Sequence, residues 1–100
     1  MVDCNGYSPS VVRTGACYIC GSQRRDDMIR HEVYHGGNRQ KSKYLGLWVN
    51  LCTACHYEVH NGHKGYDRML KQKIQPIAMK YHGWRKEDFI RIIGKNYMEE

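Results

Sequence analysis

Polar and apolar positions alternate from Met28 to His35, with Ile29, His31 and Val33 on one side of an extended chain and Arg30, Glu32 and Tyr34 on the other, which predicts a short strand. Leu45 to Leu51 is the most apolar run of the chain. It is too short for an ordinary helix and carries the β-favouring Trp48 and Val49, so a second strand, antiparallel to the first, is expected. Between them Gly36-Gly37-Asn38 opens a basic loop, Arg39 to Lys43, with three positive charges in five residues. Thr53 is placed to cap a helix from about Ala54 to Asn61 that stops at Gly62. From Tyr66 the spacing becomes helical: Leu70, Ile74, Ile77, Ala78 and Tyr81 form one stripe, Asp67 is a candidate cap, Gly83 a stop and Pro76 an expected kink. A last helix, Lys86 to Ile93, is expected to bury Phe89, Ile90 and Ile93 before Gly94. Residues 1–16, with Gly6, Pro9 and Gly15 and no periodicity, read as an irregular arm, packed on the domain or mobile.

The pattern is that of an α+β chain, and 100 residues make one domain, small enough for a metal staple to matter. Within it, residues 17–62 hold the strands and the residues with metal chemistry, and residues 66–94 form a helical scaffold. No apolar run approaches the roughly 18 residues of a membrane span, so no membrane is expected among the partners. Met1 to Arg13 lacks a basic stretch followed by an apolar one, which argues against a signal peptide and for a reducing cytoplasm. The formal charge of +6, from 16 Lys and Arg against 10 Asp and Glu, suits a polyanion or an acidic protein surface, and equally a face that only keeps the chain in solution.

Chemistry concentrates in the stretch Cys52-Thr53-Ala54-Cys55-His56-Tyr57-Glu58-Val59-His60. Its thiol pair has an upstream counterpart in Cys17-Tyr18-Ile19-Cys20, and two CxxC pairs separated by 31 residues are a strong zinc signal. Four thiolates close the coordination shell, so zinc at Cys17, Cys20, Cys52 and Cys55 would be structural. A thioredoxin-like redox role for one pair would need a βαβ context that is missing. Cys4, the odd thiol, is read as free. His56 and His60 lie one helical turn apart on one face, either as exposed residues or as ligands. His31 on the upstream strand is the natural third ligand of a second metal, and His35 and His63, each beside glycine, are runners-up. Three protein ligands would leave an open position, as catalytic sites do. His82 is read as a surface residue.

The segments CYICG, RHEVYHGGNRQKS and YLGLWVNLCTACHYEVH together resemble the HNH, or ββα-metal, nucleases in the zinc-knuckle form that many bacteriophages encode. The resemblance covers about Ala16 to Asn61 and, more loosely, the trailing helices. It implies a zinc-stabilised ββα-metal core with two C-terminal helices, in a phage-encoded protein of the bacterial cytoplasm. It further implies a divalent ion (Mg2+, Mn2+, Ni2+ or Zn2+) on His31, His56 and His60, with Glu32 at the usual position of the base histidine. Sliding the comparison by one residue would make His31 the base but put Arg30, which has no lone pair, at a ligand position. Asn50, ahead of Asn38, is the candidate for the family's middle asparagine. Two functions follow. One is a metal-dependent DNA endonuclease or nickase whose Arg39, Lys41 and Lys43 contact the phosphate backbone. The alternative is a non-catalytic anti-CRISPR inhibitor that binds a CRISPR effector nuclease with a degenerate HNH scaffold. A sequence-specific zinc module is disfavoured, because no helix near the knuckle carries a base-reading pattern.

Overall fold

The β-favouring runs pair as expected. In the computed structural model, which describes residues 3–12, 15–23, 27–61 and 65–98, β1 (Met28–Glu32) lies antiparallel to β2 (Trp48–Cys52), with His31 opposite Val49 and Arg30 opposite Asn50. Four helices complete the α+β fold: α1 (Arg39–Leu45), α2 (Thr53–His60), α3 (Tyr66–His82) and α4 (Lys86–Ile93). One face of the hairpin presents His31, Val49 and Leu51 to the interior, all buried. The other is covered in part by the N-terminal arm: Ser8 N–H donates to the Lys43 carbonyl at 2.9 Å, Trp48 Nε1 to the Ser8 carbonyl at 2.7 Å, and Val11 is buried. The arm is therefore packed over residues 3–12.

Several boundaries depart from the sequence pattern for identifiable reasons. The first strand ends at Glu32 rather than His35, because Ser42 replaces a strand partner: its hydroxyl accepts from Tyr34 N–H at 3.1 Å and donates to the Tyr34 carbonyl at 2.6 Å. Val33 and Tyr34 are consecutively buried as a result. The expected basic loop is a 3-10 turn, Gly36–Asn38, followed by α1, so Arg39, Lys41 and Lys43 stand on a helix. Leu45 belongs to that helix and not to the second strand. Gly46 stops α1 in the left-handed conformation (φ 77°), where a Cβ would overlap the Pro9 carbonyl oxygen.

Thr53 is the first residue of α2 and not its cap; its hydroxyl donates to the Asp27 carboxylate. The helix ends at His60, and the expected stop, Gly62, lies outside the described residues. Gly65 precedes α3, which leaves Asp67 in the first turn, and the helix runs unbroken through Pro76. Leu70, Ile74 and Ala78 are buried as expected, but Tyr81 is exposed and Gln75 takes an interior place. The Gln75 amide is satisfied there: Nε2 donates to Asn96 Oδ1 at 2.8 Å and Oε1 accepts from Tyr97 N–H at 2.7 Å. In α4, Phe89 and Ile93 are buried and Ile90 is exposed. Tyr34 sits at the centre, edge-on to Phe89 at 5.3 Å and donating its hydroxyl to the Lys71 carbonyl at 2.7 Å, so one residue ties the hairpin to both C-terminal helices.

Candidate metal centre

Cys17 and Cys20 occupy a tight turn that Gly21 closes in the left-handed region (φ 78°), its N–H donating to the Cys17 carbonyl at 2.8 Å. Tyr18 N–H reaches the Asn50 carbonyl at 2.9 Å and so docks the knuckle on β2. Cys52 ends β2 and Cys55 lies in the first turn of α2, and the four sulfurs are all within 4.8 Å of one another. The expected tetrad therefore forms, and it could hold a metal such as zinc. Cys4 is exposed and stands outside it.

Burial and hydrogen bonding shift the thiols of the tetrad in opposite directions. Burial works against a thiolate at Cys17, but N–H donors from Cys20, Cys52 and Ile19 outweigh it and bring the thiol down to about 6. Burial pushes the Cys55 thiol up, as do hydrogen bonds with Cys52, Cys17 and Cys20 and the charge on Cys17. Burial, the largest cause at Cys55, thus disfavours a second thiolate beside Cys17, and a divalent ion in such a tetrad would offset that cost.

The second expected group also comes together. His31, from β1, meets His56 and His60, one turn apart on α2, with ring centroids 5.6 and 5.4 Å from its own. Each ring offers a nitrogen within 4.8 Å of the others, and Nε2 of His56 and His60 face each other at 2.9 Å. His31 is 3% exposed, and its Nε2 is buried with no hydrogen-bond partner. Burying such an atom unpaired costs about 1–3 kcal/mol, and the three-histidine group could hold a metal ion there. Burial, then the charges of His56 and His60, lowers the His31 pKa to about 4, and burial followed by His60 lowers that of His56. Both rings are therefore held in the neutral form that ligates metal.

The three histidines open on a hollow of about 210 Å³ whose lining includes Glu32, His35 and Arg39. The Glu32 carboxylate is engaged there: the Tyr7 hydroxyl donates to Oε2 at 2.6 Å, and Arg39 Nε stands 3.5 Å from Oε1. Burial, then the bond to Glu32, pushes the Tyr7 hydroxyl up to about 12. Asn50 is placed elsewhere, opposite Arg30 and outside the hollow's lining. Asn38 donates to the Ile93 carbonyl at 2.8 Å, at the end of α4. Lys41 donates to the Ile92 carbonyl at 2.6 Å and the Lys43 ammonium lies 4.9 Å from the centre of the Tyr7 ring, so of the three basic positions Arg39 alone borders the hollow.

Runner-up His35 lies outside the three-histidine group but bonds Asp67, and His63 falls outside the described residues. His82 is half-buried, not superficial: its Nε2 donates to the Leu45 carbonyl at 2.8 Å and its ring stacks on Trp84 at 4.3 Å. Sequence reasoning missed Tyr7 and Asp67, whose partners lie 25 and 32 residues away without a local pattern to announce them. No helix among the described residues is long and apolar enough to cross a membrane. Comparison with protein-family models, curated proteins and solved structures returns no match.

Proposed function

We propose that the chain is a metal-dependent DNA endonuclease of HNH type, held together by structural zinc at the four cysteines. The observation that carries this reading is the buried, unpartnered His31 Nε2, aligned with His56 and His60 on a strand-and-helix frame that opens on a hollow. Zinc suits the tetrad because Cys20 Sγ and Cys52 Sγ are 3.7 Å apart, close to the edge of about 3.8 Å that Zn–S bonds of about 2.3 Å give a tetrahedron. A reducing bacterial cytoplasm, where a phage-encoded protein would act, keeps such thiols available as ligands.

His31, His56 and His60 would hold a second divalent ion, which when bound supplies charge neutralisation at a phosphodiester and a more acidic water. Arg39, 61% exposed at the rim, is placed to meet a backbone phosphate, and the net charge of +6 draws a polyanion toward it. The second reading, an anti-CRISPR inhibitor docking on a CRISPR effector nuclease, is favoured by one observation: a carboxylate fastened to Tyr7 and Arg39 stands where a base histidine is usual.

Incubation of supercoiled plasmid with the protein across magnesium, manganese, nickel and zinc separates the two. Nicking by the parent and not by His56→Ala, with zinc retained in both, is expected. No nicking with any metal by the folded, zinc-loaded parent would overturn the enzyme reading and leave the inhibitor.

A further inference from the structure

Glu32 accepts from the Tyr7 hydroxyl and pairs with Arg39, whereas an imidazole three residues further along is positioned by a carboxylate that is itself paired with a lysine. His35 lines the same hollow as the three-histidine group, with its ring 6.1 Å from that of His31, but offers no atom to the group. Its Nε2 meets Asp67 Oδ1 at 2.9 Å, and the other Asp67 oxygen takes the Lys71 ammonium at 2.9 Å. Burial works against the Asp67 carboxylate, but hydrogen bonds from His35 and Lys71 outweigh it and hold the carboxyl below its usual range. An ionised carboxylate only accepts, so the hydrogen of neutral His35 resides on Nε2 and the lone pair on Nδ1. A base oriented by a third group in this way is a recurrent catalytic arrangement.

We infer that His35, oriented by Asp67, is the general base of the proposed phosphodiester hydrolysis, a role that Glu32 at the usual position does not fill. The inference rests on the nuclease reading above. In the step, a water oxygen bonds to phosphorus while its proton passes to Nδ1 of His35. The bond from phosphorus to the leaving ester oxygen breaks, that oxygen takes a proton from solvent, and His35 later returns its proton to solvent, so nothing is oxidised or reduced. Glu32 acts instead as an anchor between Tyr7 of the arm and Arg39 of α1.

The alternative role for the pair is a staple between the end of the hairpin and α3, which His35→Gln tests by keeping an N–H donor near the Nε2 position while removing the base. Plasmid nicking is measured for the parent, His35→Ala, His35→Gln and Asp67→Asn, with metal content per chain and nitrogen NMR of the imidazoles for each. Both His35 variants are expected to keep the parental metal content and lose at least about 100-fold in rate, and added imidazole is expected to restore nicking to His35→Ala. In the parent the NMR is expected to show His35 protonated at Nε2 and bare at Nδ1, a preference lost in Asp67→Asn. Parental nicking by metal-loaded His35→Ala, or a hydrogen on Nδ1 in the parent, would overturn this assignment and leave the nuclease reading standing. A folded parent that fails to nick with every metal tried overturns both.

Discussion

Gly46 carries more of the fold than its size suggests. It ends α1 at φ 77°, and the arm crosses so close that a Cβ would overlap the Pro9 carbonyl. Gly46→Ala combines strain with that overlap and is expected to cost at least about 2 kcal/mol, read from the urea midpoint. His31 gives a pH dependence. In the metal-free protein its pKa is about 4, held down by burial and then by His56 and His60, against 6.5 when unfolded. Between those values the unfolded chain binds the proton and the folded one does not. Stability fully present above pH 6.5 is therefore lost as pH falls toward 4, by about 3 kcal/mol. Urea unfolding of the metal-free parent should show this loss relative to His31→Phe, and parallel pH profiles for the two would contradict it.

Among the elements, legibility followed the length of the pattern. The stripe of Leu70, Ile74 and Ala78 marks a helix of 17 residues, and α4 is found at its expected bounds because Phe89, Ile93 and the closing Gly94 fix it. Helix α1 was not legible, since seven residues with one buried side chain, Ser42, hold no apolar period. Its formation redistributes the basic residues, because positions two apart on a helix point to different sides. Lys41 consequently turns to the C-terminal end of α4, where a cation also meets the helix dipole. Lys41→Ala is expected to cost about 1 kcal/mol of stability, whereas Arg39→Ala is expected to reduce the salt dependence of DNA binding by about one counterion. A larger salt effect for Lys41 than for Arg39 would contradict this division.

At the scale of the molecule, the four cysteines and the His56–His60 pair could be read from spacing, because CxxC pairs and histidines four apart impose local geometry before any tertiary contact forms, whereas His31 is reached through its place on the upstream strand. The fastening of Glu32 by Tyr7 and of His35 by Asp67 could not, since each joins distant elements through single side chains. The two groups also differ in setting: the thiols, buried except at Cys20, bring the knuckle against the hairpin, and the imidazoles border an open hollow. We propose that the chain carries two metal sites of different donor chemistry. Native mass spectrometry of the zinc-loaded protein counts the ions bound per chain. Two ions are expected in the parent and one in His31→Ala, with cooperative unfolding retained; a parent that takes up a single ion, or a His31→Ala variant that still binds two, would contradict it.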